Sequence, residues 1–363
     1  MNAPRTDKTE RPSDAERGLL RDSVRDFLSK RWPPEGAVER SGKADAIEAI
    51  WRDLAGQGLT SLGGSSGEAG LREILLVFEE LGRASCPAPL LGAIAANLAL
   101  ATQSSNTARA LIEDLRQGRA MIAVALGGFD GDASAGQAEM RGEALSGTAS
   151  FVEGAETATH LLVFTNAPAG VALVASGAPG LKVQATPGLA VPPFCELSFA
   201  NTPAVRFDVP LEALADIALI ARLGCAGRAL GAAERAFEMA VDHAKVRKQF
   251  GQLIGQFQAV QHKLANGLIG LDGARLTLEA AAEARDIGSP DWRVFAASAL
   301  AFAGPALREV SIQTHRALGA IGYAEEHEAP RHFRRVHSDL ARFGGASRAR
   351  ATLADFVLGP IAP

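Results

Sequence analysis

The chain has 363 residues, a length that suits two or three cooperating units or one large domain with an insertion. Hydrophobic residues make up 47% of it and charged residues 21%, and this balance excludes wholesale disorder. The 37 basic and 41 acidic side chains give a formal net charge of −4 without a basic stripe, so no nucleic-acid partner is predicted.

The first third of the chain is predicted to be helical after a polar tail. Residues 1–12 are polar and charged, which is typical of a disordered tail. Ser13 and Glu16 have the spacing of a capping box, which marks the start of a helix. Further helical patterns cover residues 44–57, 69–83 and 88–118. These patterns predict an N-terminal helical domain over residues 13–118.

The middle of the chain, residues 119–208, is predicted to form a β domain. It is rich in glycine, proline, threonine and valine, and turn signals separate its short extended runs. The runs lie at 121–126, 147–152, 161–165, 170–175 and 196–200. Their length and spacing predict a small antiparallel sheet or barrel.

From residue 209 to residue 363 the helical pattern returns and continues. The predicted helices cover 211–249, 256–286, 291–317 and 324–357, the last broken at Gly344-Gly345. Long helices with short connections are typical of a four-helix bundle. The predicted fold class is therefore mainly α with a β insertion: a helical domain, a β domain and a C-terminal helical bundle.

Metal, disulfide and membrane signals are missing from the sequence. The three cysteines are scattered and the seven histidines include no HExxH pair, so neither a disulfide framework nor a metal site is predicted. The most apolar stretch, residues 90–101, is shorter than the roughly 18 residues typical of a membrane span. The N-terminus has no apolar signal core, and we therefore expect a cytoplasmic protein without a membrane partner.

The most informative segment runs from Arg247 to Gln258. Arg247 and Phe250 are three residues apart, so they are predicted to share a face at a helix end. A guanidinium group there suits a diphosphate, because it makes paired, charge-assisted bonds to phosphate oxygens. Phe250 can pack against a planar ring, and Gln258 can donate or accept a hydrogen bond. The alternative is a solvated helix end with an aromatic core residue.

This segment resembles the R-x-x-F-G-x-x-I-x-x-F-Q signature of acyl-CoA dehydrogenases, and the resemblance covers nearly the whole chain. Four further stretches are similar to motifs of that family. They are W-x-x-L with G-L at 51–59, E-E-L-G-R at 79–83, L-x-G-T at 145–148 and a glycine segment at 318–323. The resemblance implies the helix–barrel–bundle fold, FAD as cofactor and an acyl-CoA thioester of fatty or steroid type as substrate. The implied reaction is α,β-dehydrogenation, in which a carboxylate removes the α-proton and hydride passes to the flavin.

The resemblance also implies which residues bind FAD. Arg247, Phe250 and Gln258 would reach an FAD held mainly by a neighbouring subunit. In the glycine segment, Gly319 would contact the same FAD, and Arg316 stands where the family usually has glutamine. Gln313 is an alternative to Arg316.

The family's W-I-T flavin wall corresponds to Phe151, Val152 and Glu153. The resemblance implies that these residues border the chain's own flavin, with Phe151 packing on the isoalloxazine. Glu153 replaces a hydroxyl with a negative charge. A free anion beside the flavin would disfavour the anionic reduced form. The favoured interpretation is that Glu153 points to solvent.

The usual catalytic glutamate is missing. Gly344 occupies its position, and Ala221 occupies the other place where family members carry the base. The resulting hypothesis is the base-lacking chain of a two-chain enzyme, with a homologous acyl-CoA dehydrogenase subunit as partner in a dimer of dimers. A homo-oligomer, a non-catalytic structural subunit, and a flavoenzyme with its base relocated to Glu153 or Asp130 are the alternatives.

Overall fold

A computed structural model describes residues 12–64, 69–127, 137–166, 168–342 and 344–359. The predicted tail, except Pro12, and the candidate base Asp130 lie outside these ranges. Within them the chain has helices, then two small sheets, then long helices, in the order predicted from the sequence.

The N-terminal part consists of helices. They are α1 (Asp14–Arg31), α2 (Ala37–Ser41), α3 (Ala44–Gly56), α4 (Leu71–Arg83), α5 (Leu90–Leu100) and α6 (Asn106–Arg116). The capping box is confirmed: the Ser13 backbone N–H donates to Glu16, and the Glu16 N–H donates to Ser13 Oγ. The pattern predicted as one element over 88–118 is two helices, because Ser105 accepts from the Ala108 N–H and starts α6 as its N-cap.

The β domain contains two four-stranded sheets in the described residues, ordered β1-β4-β5-β8 and β2-β3-β7-β6. The strands are β1 (Ile122–Ala125), β2 (Ala138–Arg141), β3 (Ala144–Val152), β4 (His160–Asn166), β5 (Ala169–Ala175), β6 (Leu181–Ala185), β7 (Cys195–Pro203) and β8 (Val205–Phe207). Their pairings are antiparallel except that of β1 with β4, which is parallel. Alternation along β4 places Leu161 and Val163 in the β-domain core, and Leu162 and Phe164 in the helical core.

The C-terminal part is a bundle of long helices. They are α7 (Leu211–Val246), α8 (Gln258–Asp286), α9 (Trp292–Leu318), α10 (Ala329–Ala341) and α11 (Gly345–Leu358). A hairpin of β9 (Lys248–Gln249) and β10 (Gln252–Leu253) joins α7 to α8. The predicted break at Gly344-Gly345 is confirmed, because both glycines have left-handed backbone, with φ of +75° and +57°.

Glycines bring α4 and α7 into backbone contact. A Cβ added to Gly82 would lie 1.8 Å from the carbonyl oxygen of Arg228, and one added to Gly231 would lie 1.8 Å from that of Glu79. The glycine of the E-E-L-G-R motif is therefore required by packing. Because Arg228 is itself part of this contact, the contact sets the position of Arg228 along α7.

We expect Gly231→Ala to destabilise the chain by about 1–3 kcal/mol or more, because the new methyl group meets backbone that cannot rotate away. Gly18→Ala in α1 is the matched control, since nothing lies within 4 Å of its added Cβ. We expect that control to stabilise the chain by about 0.5–1 kcal/mol. Thermal unfolding followed by circular dichroism compares the two variants. Equal midpoints would contradict the close contact of α4 with α7.

Candidate functional site

Arg247 and Phe250 lie where α7 gives way to the hairpin. Arg247 is the C-cap of α7 and has extended backbone, with φ of −72° and ψ of 127°. The prediction that the two residues share a helical face is wrong, because the chain reverses at Phe250 and Gly251, with φ of +52° and +81°. The residue Phe250 is 93% exposed, and its ring contacts Phe257 edge-on at a centroid distance of 6.3 Å.

The glycine segment lies at the same end of the bundle. Helices α8 and α9 are antiparallel, because Gly270 lies against Val310 while Gly273 lies against Phe302. Gln258, which starts α8, and Gly319, which follows α9, are therefore at one end of the pair. Leu318, Ala240 and Ala329 share a small apolar cluster that ties this end to α7 and α10.

The five residues predicted to reach a neighbour's FAD are therefore brought to one end of the bundle, and all are exposed. We call them the bundle-end surface: Arg247, Phe250, Gln258, Arg316 and Gly319.

The bundle-end surface is positively charged. Among the described residues, neither Arg247 nor Arg316 pairs with a carboxylate, whereas the bundle arginines Arg228, Arg275 and Arg335 are all paired. Burial, together with the positive charges of Arg247 and His327, lowers the pKa of His243 below its usual 6.5. The two unpaired guanidinium groups suit the diphosphate of a dinucleotide, and the exposed phenyl ring suits one of its rings.

A buried ion cluster holds Glu153 at the boundary between β domain and bundle. Its carboxylate accepts from Arg228 at 2.9 and 2.8 Å, from Arg342 at 2.8 Å and from Arg335 at 3.2 Å. Arg228 also donates to Asp339 at 2.8 and 2.7 Å. The interpretation that Glu153 points to solvent is wrong, because three guanidinium groups surround its carboxylate and leave the residue 8% exposed.

The ion cluster removes Glu153 from acid–base chemistry. Burial alone would raise its pKa, but the charges of Arg228, Arg342 and Arg335 hold that pKa well below its usual range. A carboxylate so strongly stabilised as an anion is a poor proton acceptor near neutral pH. The geometry therefore argues against the alternative that the base is relocated to Glu153, since three arginines already donate to its carboxylate oxygens. Its charge is also neutralised, so it does not face the adjoining cavity as a free anion.

That cavity has a volume of about 360 Å³ and lies between the end of β1 and α10. Phe151 forms one wall; it has a φ of +59° and is half-exposed. Phe194 and Arg342 also line the cavity, and the guanidinium of Arg342 lies 4.9 Å from the ring centroid of Phe194. The volume and aromatic walls suit a planar ring. Val152 does not line the cavity, because it is buried in the β-domain core opposite Cys195.

Neither usual base position offers a proton acceptor. Gly344 is the N-cap of α11, and Ala221 is buried in α7. The lining of a second cavity, of about 350 Å³ beside Gly344, contains Arg308 and Arg350 but no carboxylate from the described residues. No metal-binding group of three histidine, cysteine or carboxylate side chains occurs in the described part of the chain. Within it, no helix has the length and apolarity needed to cross a membrane.

The ion cluster is the feature that sequence reasoning missed. One signal was present: Arg228 lies in the run 223–233, whose other residues are alanine, glycine, leucine and cysteine. A charged residue inside such a run is predicted to be buried and paired. The partners of Arg228 lie far away in the sequence, so they could not be identified from sequence patterns.

Comparison with known proteins gives the family. The model of the acyl-CoA dehydrogenase N-terminal domain matches residues 14–110, and that of the C-terminal domain matches residues 213–358. Acyl-CoA dehydrogenase IpdE2 of Mycobacterium tuberculosis (strain ATCC 25618 / H37Rv) is 31% identical over 331 residues, which are 89% of this chain and 91% of IpdE2.

Two solved structures with the same fold are two-chain proteins by name. A chain of a Tcur3481–Tcur3483 steroid ACAD variant matches with a TM-score of 0.84 and 29% identity, over 95% of this chain and 98% of its own length. A chain of the ChsE4–ChsE5 complex from Mycobacterium tuberculosis matches with a TM-score of 0.82 and 25% identity, over 98% and 100%. The domain matches and the extent of these similarities show that this chain belongs to the acyl-CoA dehydrogenase family.

Proposed function

We propose that this chain completes the FAD site of a homologous companion chain, and that the pair dehydrogenates an acyl-CoA thioester at its α,β-bond. One contrast supports the proposal. The bundle-end surface keeps unpaired arginines and an exposed phenyl ring, whereas Gly344 and Ala221 offer no base and Glu153 is held by three arginines. The chain thus has groups suited to holding a dinucleotide and none at the known positions for removing a proton.

In this proposal the chain's residues bind and orient rather than transfer protons. Arg247 and Arg316 neutralise the diphosphate through charge-assisted hydrogen bonds. Phe250 packs against a ring of the dinucleotide, and Gln258 supplies a further hydrogen bond at the start of α8. FAD, when bound, supplies the hydride acceptor. The carboxylate that removes the α-proton belongs to the companion.

The two named two-chain structures support a heteromeric arrangement, and one of them is called a steroid ACAD. We therefore extend the proposal to a companion chain that carries the glutamate missing here, with a fatty or steroid-type acyl group on the thioester.

Dye reduction with a panel of acyl-CoA thioesters tests whether this chain needs the companion chain for activity. The chain is purified alone, and also co-expressed with a homologue encoded beside it that has the glutamate. We expect the single chain to give no reduction above background and the pair to give flavin-dependent reduction. Full dehydrogenase activity from the single chain would overturn the proposal. A pair that stays active when the bundle-end arginines are removed would favour a purely structural subunit.

A further inference from the structure

A small basic cavity lies where α1, α4, α7 and α10 meet. Its volume is about 180 Å³. Its charged lining consists of four arginines and two glutamates: Arg25, Arg83, Arg235, Arg331, Glu80 and Glu328. Among the residues that the structure describes, it shares none with the lining of the cavity beside Phe151 or with the bundle-end surface. We call it the basic cavity.

Three of the four arginines donate hydrogen bonds to carboxylates. Arg25 donates to Glu80 at 2.9 and 2.7 Å, and Arg235 donates to Glu328 at 3.3 Å. Arg83 donates to two further glutamates of α7. These contacts tie the four helices together around the basic cavity, and they use both glutamates of its lining.

Arg331 is the arginine without such a contact. Its side chain is 10% exposed, and its Nη1 has no hydrogen-bond partner among the described residues. Its Nη2 lies 3.6 Å from the carboxylate of Glu328, which already accepts from Arg235. A charge-assisted hydrogen bond is shorter, about 2.7–2.9 Å. A buried cation with so little compensation is unfavourable unless another anion joins it.

The charges around Arg331 add to this imbalance. Arg40 donates to two backbone carbonyl groups and pairs with no carboxylate of the described chain. Burial lowers the pKa of Arg331 below its usual range; Glu328 opposes this, and the charges of Arg40 and Arg235 add to it. His332 lies 3.7 Å from Glu328 and is neutral near neutral pH, because burial lowers its pKa to about 4. The surroundings of Arg331 therefore lack negative charge.

The basic cavity suits an oxyanion of phosphate type. It has the volume of about six water molecules at roughly 30 Å³ each, which is enough for a phosphate group. Arg25, Arg235 and Arg331 line it from three different helices. A tetrahedral oxyanion can accept from several guanidinium groups at once, whereas a planar carboxylate is matched by a single guanidinium fork. Leu28 and Pro34 add an apolar wall that a small organic group could contact.

We propose that the basic cavity binds a phosphate group, as the free ion or as a small monoester, through Arg331 with support from Arg25 and Arg235. The bound anion supplies the negative charge that the chain itself does not place beside Arg331. The cavity is separate from the bundle-end surface, so this inference does not depend on the proposed function.

Isothermal titration calorimetry of the full chain with sodium phosphate tests the site, with sodium chloride keeping the ionic strength constant. We expect saturable binding of one phosphate per wild-type chain. Arg331→Met keeps the length of the side chain and should weaken binding roughly 10- to 100-fold, because it removes hydrogen bonds to a charged ligand. Arg109→Met is the matched control, since Arg109 is exposed on α6, and it should bind phosphate as the wild type does.

Glu328→Gln should have the opposite effect. Its carboxylate competes with the ligand for Arg235 and Arg331, so removing the charge should tighten phosphate binding by about fivefold, the equivalent of one partly exposed ion pair. A cluster with a purely structural role would not gain affinity for phosphate. This variant keeps the proposal testable if circular dichroism shows that Arg331→Met does not fold.

Phenyl phosphate distinguishes the two sources of the phosphate group. Tighter binding than that of inorganic phosphate would assign the site to a monoester, and equal or weaker binding would assign it to the free ion. The proposal is overturned if neither ligand gives saturable binding above the chloride background. Equal phosphate affinity of the wild type and a folded Arg331→Met, or weaker binding by Glu328→Gln, would overturn it as well.

Discussion

Replacing Glu153 with glutamine should destabilise the chain by about 3–5 kcal/mol. The substitution keeps the shape of the side chain and removes the charge that Arg228, Arg335 and Arg342 surround. Removing one member of a buried ion cluster leaves uncompensated charge in the interior. The resulting loss of unfolding free energy is larger than the net stabilisation that the intact ion pairs provide.

Glu156→Gln is the matched control for this prediction, because Glu156 lies three residues further along and is exposed. Thermal and urea unfolding should show a large loss of unfolding free energy for Glu153→Gln and almost none for Glu156→Gln. Coinciding midpoints would contradict the view that the cluster holds the β domain against the bundle.

The same cluster predicts that the unfolding free energy depends on pH in the acidic range. The folded-state pKa of Glu153 lies below its ordinary value of 4.5, so its contribution to stability is complete above that pH. It is lost as the pH falls from there towards the folded-state pKa. The difference in unfolding free energy between the wild type and Glu153→Gln should therefore shrink below about pH 4.5. A difference that grows in acid would contradict the assigned charge state.

Replacing both bundle-end arginines should release FAD from the assembled pair. A hydrogen bond to a charged group contributes about 1.5–3 kcal/mol, so each guanidinium accounts for roughly a 10- to 100-fold change in affinity. We therefore expect Arg247→Ala/Arg316→Ala to weaken FAD binding by about 100-fold or more, measured by flavin fluorescence on dilution of the purified complex.

The control for FAD release is Arg141→Ala, which removes an exposed arginine from β2 in the β domain. It should leave the FAD dissociation constant unchanged. Comparable FAD loss from this control and the double variant would show that general surface charge, rather than the bundle-end surface, is responsible.

Local signals predicted the fold well. The capping box of Ser13 and Glu16 depends on residues three apart, and the helical periodicities depend on near neighbours, so both are visible in the sequence. The strands β2, β6 and β8, of four, five and three residues, were not predicted. Their extended conformation depends on pairing with distant strands rather than on their own composition.

The local geometry of the candidate site was not predicted from the sequence. The motif singled out Arg247 and Phe250, but the left-handed backbone at Phe250 arises from a hairpin that helical spacing does not reveal. Glu153 could not be assigned at all, because Arg228, Arg335 and Arg342 lie 75, 182 and 189 residues away. Only the folded chain brings those charges together.

The central claim is that Arg247 holds a dinucleotide that belongs mainly to another chain. The most direct measurement is a structure of the FAD-loaded complex of this chain with its companion. The account predicts the Arg247 guanidinium within about 2.7–2.9 Å of a diphosphate oxygen of an FAD whose ring is bound by the companion. An FAD diphosphate held wholly by the companion, with Arg247 facing solvent, would contradict it.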